Sequence, residues 1–165
     1  MSSDPPTCDG RVLFRTLPTK LRFSADEQRA VTAFARTLVH RVANGRGFTC
    51  LITRDRELRT LNRRFLEHDF PTDVLSFPKQ EPDSALGEIA ISLDRAEAQA
   101  SEFGHTRIDE LRILMLHGVL HLGGMDHERD SGAMARAERK WRSELGLPST
   151  LIMRASNPKQ KPTLK

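Results

Sequence analysis

No stretch of the chain approaches the roughly 20 consecutive apolar residues that a membrane-spanning helix needs. Cysteine is nearly missing too: Cys8 and Cys50 are the only two, and they sit in dissimilar segments. That argues against a disulfide scaffold and makes a reducing, cytoplasmic setting the simpler expectation. The opening MSSDPPTCDG has neither a basic start nor an apolar run behind it, so it does not read as a signal peptide. No internal repeat and no interdomain linker is visible.

What is present suits a soluble globular chain. Hydrophobic residues make up 38% and charged residues 29% of 165 residues, enough for one domain with a genuine core. Lysine and arginine number 26 against 22 acids, for a net charge of +4 and a pI near 9.5. That balance favours a polyanionic partner such as RNA, but charge alone fits a basic protein without one equally well. Residues 1–10 are expected to be a flexible N-terminal extension, residues 11–153 a single domain, and residues 154–165 (RASNPKQKPTLK) a flexible basic tail.

Helix and strand signals alternate through the domain. RVLFRTL reads as a short strand, and Ser24 three residues before Glu27 as a capping box opening a helix through Val31, Phe34, Leu38 and Val42. GFTCLIT alternates like a strand. RDRELRTLNRRFL has Leu58, Leu61 and Phe65 on one helical face and Arg56, Arg59 and Arg63 on the other. TDVLSF and GEIAIS suit an antiparallel hairpin with a longish loop, and Asp94 suits the cap of a helix running to Phe103. Thr106 and Asp109 open a further helix that is apolar nearly all round and is expected to be the buried central one. DSGAMARAERKWRSEL closes the domain as an amphipathic helix with Met134, Trp141 and Leu145 inward. The expectation is an α+β fold, a small mixed β-sheet packed with helices.

The chemistry concentrates in LHGVLHLGGMDHERD, residues 116–130, which holds half of the six histidines. His117 and His121 are four apart on the central helix, so their rings leave one face about a turn apart. Gly123 and Gly124 permit positive φ and stop the helix, and a sharp turn there can return His127 to the first two. A lone histidine in an apolar helix is usually a hydrogen-bonded core residue; two at this spacing with a glycine turn and a third point to a metal site. Three imidazoles suit one Zn²⁺ best, although Ni, Co or Fe also fit such donors. No cysteine is near enough in sequence to close the site, and three ligands with an open position is the catalytic pattern. Asp126 and Glu128 are equally readable as partners that orient the imidazoles or as exposed loop acids.

The spacing H-x-x-x-H-x-x-G-x-x-H is shared with metzincin proteases, which place a glutamate directly after the first histidine. Here that position is Gly118, which cannot act as a base, so peptide hydrolysis is disfavoured. HGVLHLGGMDH instead resembles the HGxLHLxGxDH signature of the bacterial YbeY family of endoribonucleases. FPTDVLSFP at residues 70–78, Gly87-Glu88-Ile89, Leu61-Asn62, and Met134 with Glu138 extend the resemblance across roughly residues 50–145 in the family's order.

The resemblance implies a zincin-like metal-binding helix, with His117, His121 and His127 matching the family's zinc ligands. It implies metal-dependent endonucleolytic cleavage of single-stranded RNA, in 3′-end maturation of small-subunit (16S) ribosomal RNA and in ribosome quality control. The partners it implies are ribosomal RNA and the ribosomal small subunit, with no membrane and no DNA. One departure stands out. In the family's Leu-Asn-x-x-[Tyr/Phe]-Arg stretch, Leu66 occupies the place of an arginine implicated in cleavage. A guanidinium clamps a phosphoryl group as charge develops, and leucine cannot. Arg63, one turn earlier, is a candidate to supply that charge, and Arg59 with Arg63 to hold substrate; a merely solvated arginine face is the competing reading. Two other functions stay open: a ribosome assembly factor whose metal is structural, and a metallopeptidase-like hydrolase. In TDVLSF, Asp73 is expected to fix the loop rather than line a cleft.

Overall fold

The computed structural model describes residues 10–15, 17–66, 72–79, 85–125 and 132–148. The expected extension and tail therefore lie outside the described residues, apart from Gly10. Four strands form one mixed sheet: β1 (Gly10–Phe14), β2 (Phe48–Thr53), β3 (Val74–Pro78) and β4 (Gly87–Ser92), in the order β1-β2-β4-β3. β1, β2 and β4 run parallel, and β3 pairs antiparallel with β4, with Ser76 opposite Ile89 and Phe77 opposite Glu88. The expected hairpin is thus present. The helices are α1 (Ala25–Arg41), α2 (Asp55–Leu66), α3 (Leu93–Phe103), α4 (Arg107–Leu122) and α5 (Ala133–Glu144). The fold is α+β, as the sequence implies. No helix among the described residues is long and apolar enough to cross a membrane.

Local signals explain the boundaries. At α1 the Glu27 amide donates to Ser24 Oγ, and the Ser24 amide donates to the Glu27 carboxylate, completing the capping box. The amide of Ser24, aided by Arg107, holds the Glu27 carboxyl below its ordinary pKa. At α4 the Asp109 amide donates to Thr106 Oγ1. α3 departs from expectation. Its cap is Ser92, whose hydroxyl accepts from the Arg95 amide. Asp94 instead reaches across to α2, accepting from the Asp55 amide at 2.8 Å and from Arg54 Nε at 2.9 Å. Ser92 Oγ donates to Asp55 in return, at 2.6 Å. The two helix starts therefore cap each other, a tertiary arrangement that spacing along one helix cannot reveal.

Strand alternation divides the sheet into two unlike faces. Phe48, Cys50, Ile52, Ile89 and Ile91 point into the main core beneath α1 and α4. α4 contributes Leu111, Ile113, Leu114, Met115, Leu116 and Val119 to it, so the expectation of a buried central helix holds. α5 adds a fully buried Met134, with Trp141 and Leu145 partly buried against the same core. The opposite face carries a small cluster of Leu58, Leu75 and Ala90, with Leu51, Leu61 and Phe77 around it, and α2 lies over it. Leu61 and Phe65 line the same side of α2, as the helical period implies, and Phe65 keeps 58% of its surface exposed with its ring against Phe77.

Candidate functional site

α4 is held at both ends. At its start, Arg107 stacks over Phe23 at 4.1 Å and donates to the Leu21 and Arg22 carbonyls and to Glu27 and Glu97. Glu110 is wholly buried, and its carboxylate meets His105 Nε2 at 2.6 Å. At its end, the Met125 amide donates to the Leu120 carbonyl and the Gly124 amide to the His121 carbonyl. That is a Schellman motif, and Gly124 adopts the φ of +102° that it requires. Of the two glycines expected to turn the chain, Gly124 alone takes the positive φ; Gly123 stays at −80°.

Between these anchors His117 and His121 meet as expected. Their ring centroids are 4.7 Å apart at 72°, edge to face. His117 Nδ1 lies 2.6 Å from Oε2 of Glu138, a carboxylate on α5 with 2% of its side chain exposed. An ionised carboxylate only accepts, so this contact keeps the proton on Nδ1 and leaves Nε2 as the nitrogen with a lone pair to offer a cation. Buried carboxylates need such partners, and a carboxylate that holds a histidine in this way is the usual outer layer of a metal site.

Sequence reasoning looked for that carboxylate at Asp126 or Glu128. Both lie outside the described residues, as does His127. In the sequence, Glu138 stands out only through the family resemblance. The missed signal is its position: it falls on the apolar stripe Met134–Glu138–Trp141–Leu145 of α5, where an acid is out of place unless it is paired. The described residues contain no group of three potential metal ligands, since they hold two of the three expected histidines. The donor chemistry of those two fits a divalent ion such as zinc: neighbouring imidazoles, one with its tautomer set by a carboxylate. Cys50 is unsuited to coordination, because full burial in the core pushes its thiol up to about 12 and keeps it protonated.

Gly118 has a definite structural role. A Cβ at this position would come within 2.9 Å of Ile89 Cδ1, so the residue is glycine because α4 presses against β4 there. Position 118 points into the sheet, where a general base could not reach water. Ser76 Oγ donates to the Gly118 carbonyl at 3.3 Å, fixing β3 to the same turn of α4. Asp73 accepts from Gln99 Nε2 at 3.2 Å, and its carbonyl accepts from the Ser92 amide, a loop-fixing role as expected. Arg59 and Arg63 are exposed on α2, which covers the sheet face opposite α4. The side chain of Leu66 lies outside what is described.

Comparison with known proteins places the chain among relatives of one family. The family model described as Endoribonuclease YbeY matches residues 19–146. A protein named Endoribonuclease YbeY from Solibacter usitatus is 56% identical over 146 residues, covering 88% of this chain and 95% of that protein. One from Koribacter versatilis is 55% identical over 111 residues, covering 67% and 72% respectively. A solution structure from Thermotoga maritima superposes with a TM-score of 0.53 at 26% identity, covering 94% of this chain and 99% of that one.

Proposed function

The chain belongs to the YbeY endoribonuclease family, and from that premise we propose that it cuts single-stranded RNA internally, using one zinc ion held by His117, His121 and His127. The process it serves is 3′-end maturation of small-subunit ribosomal RNA, with ribosome quality control, in the cytosol. The observation that carries the reading is the His117–Glu138 contact beside His121: a buried carboxylate orienting one of two adjacent imidazoles. A zinc ion supplies Lewis acidity towards a phosphoryl oxygen and acidifies water.

The chain's own residues do the rest. Glu138 holds the His117 proton on Nδ1 and fixes the ring plane. The glycine-closed end of α4 sets the His121 direction. Arg59 and Arg63 hold the phosphate backbone electrostatically, and Arg63 supplies the positive charge that Leu66 cannot. Leu66 also favours a second reading, an assembly factor whose metal site is structural and whose cleavage is lost. The peptidase reading has no base at position 118.

The test is cleavage of a single-stranded RNA by protein purified from a host deficient in ribonucleases, alongside elemental analysis. The expected result is about one zinc per chain by the three-ligand logic, with cleavage abolished by chelator and by His121→Ala and restored to the wild type by zinc. Metal present without cleavage would select the assembly-factor reading. Cleavage that survives both chelator and His121→Ala would remove the metal from the mechanism. Replacing Arg63 with alanine is expected to slow cleavage; an unchanged rate rejects its role.

A further inference from the structure

Beside α2 lies a groove of about 690 Å³ that the histidine chemistry does not use. Its walls include Leu13, Leu51, Leu61, Phe65 and Phe77, and its rim includes Glu88. We propose that this groove is a base-stacking subsite for single-stranded RNA, with Phe65 as its platform. The proposal rests on the RNA-cleaving reading and adds where the strand is gripped.

Three observations carry it. The first is Phe65 itself. It is a large apolar ring, 58% exposed, held from one side by an edge contact with Phe77 at 6.0 Å and 76°. An exposed aromatic ring fixed on one side is a stacking surface at little entropic cost. The Arg64 guanidinium lies over the same ring, 5.3 Å from its centroid, so a base stacking there meets a ring already paired with positive charge.

The second observation is charge. Arg56, Arg59, Arg63 and Arg64 are all exposed along α2. The acids of that helix are paired: Asp55 accepts from Arg95 and Ser92, and Glu57 from Thr53 and from Arg15, the Arg15–Glu57 pair lining the groove as a neutral couple. The outer side of α2 is therefore a cationic rail beside an apolar groove. Glu88 at the rim repels phosphate, so the groove accepts bases while the phosphates follow the arginines. This division of labour is the one that single-strand binders use, and the charge favours RNA over an apolar protein segment.

The third observation is position. Phe65 meets Phe77, which pairs with Glu88, one residue from the Pro78–Gly87 end of the hairpin. The end of α4 reaches the same place, since Leu122 lies 3.0 Å from where a Gly87 Cβ would be. The aromatic platform and the His121 turn thus stand at one end of the sheet, on its two faces, with the edge strand β3 between them. A single strand bent over β3 reaches both; a stiff duplex does not.

The experiment places a reporter in the groove. The chain has one tryptophan, Trp141, on α5. A Trp141→Phe, Phe65→Trp variant therefore carries its only indole at the platform. Titration with a short single-stranded RNA is expected to quench that emission saturably, more weakly at high salt, whereas duplex RNA of the same sequence leaves it unchanged. In the otherwise unaltered protein, Phe65→Ala and Phe65→Leu are both expected to raise KM for RNA cleavage roughly tenfold, with a smaller effect on kcat. Leucine keeps apolar bulk without a π-face, so a leucine variant that behaves like wild type would overturn stacking. Cleavage by the wild type with no quenching at residue 65 overturns the subsite and leaves the nuclease reading standing. Quenching without cleavage does the reverse. An indole unmoved by RNA but shifted by a purified ribosomal protein replaces RNA with a protein partner and also overturns the proposal.

Discussion

On one face of the sheet, Cys50, Ile52, Ile89 and Ile91 are almost wholly buried beneath α1 and α4; on the other, Leu13 keeps 44% and Phe65 58% of its surface. The sheet surface on both faces comes from alternate residues of the same four strands, and Phe65 stands on α2, which lies over the second. The sealed face carries the histidine helix, which is anchored by Arg107 at its start, by Gly124 at its end and by Glu138 from α5. The open face carries an apolar groove and an arginine-rich helix. The contrast teaches a division of labour. Under the proposed function, the groups that would hold a metal's geometry are placed where packing leaves no freedom, and the surface that would receive a long, variable polymer is left half covered.

Removing Glu138 breaks the sealed side most directly. Glu138→Ala leaves His117 without its carboxylate and opens a hole in the α4–α5 contact. The expected loss is about 3–5 kcal/mol of stability, read from urea unfolding. The more conservative Glu138→Gln is expected to fold yet bind zinc about 10–100-fold more weakly. Zinc affinity unchanged in Glu138→Gln would mean that the contact does not orient the ligand.

A smaller effect separates the two faces at the level of one methyl group. Gly118→Ala drives a Cβ into Ile89, and overpacking of this kind costs about 1–3 kcal/mol. Leu13→Ala on the open face is expected to stay within roughly 0.5 kcal/mol, as surface changes do. Equal losses for the two variants, measured side by side by thermal unfolding, would erase the distinction between sealed and open faces.

The smallest effect concerns the junction that fixes α2 over the open face. Burial raises the Asp94 pKa, but the Arg54 hydrogen bond, the Asp55 amide and the charges of Arg54 and Arg95 outweigh it, and the net shift is downward. A depressed carboxyl adds stability above its unfolded pKa and loses it as pH falls through the folded value. Because the group is partly exposed, the contribution is expected to stay under about 1 kcal/mol. The stability gap between wild type and Asp94→Asn should therefore be open at neutral pH and close below the ordinary aspartate value of about 3.9. A gap that persists in acid would assign the difference to packing.

Legibility follows the range of the interaction. The capping box at Ser24, the strand alternation in GFTCLIT and the His117–His121 spacing are local, and they read correctly because neighbours in sequence decide them. The departures at Asp94 and at the carboxylate on His117 are long-range. Spacing assigns Asp94 to its own helix, although it caps another 39 residues away. Local spacing points to a carboxylate a few residues downstream of His121, whereas the one on His117 stands 21 residues away on α5.

By itself, the sequence determined the α+β class, the buried central helix and the two histidines that share its face, because helical and strand periods are properties of the backbone. Tertiary structure alone decided which carboxylate meets His117, why residue 118 must be glycine, and that one face of the sheet stays open. Those outcomes depend on how closely separate elements approach, and that distance is set when packed surfaces come to rest against each other.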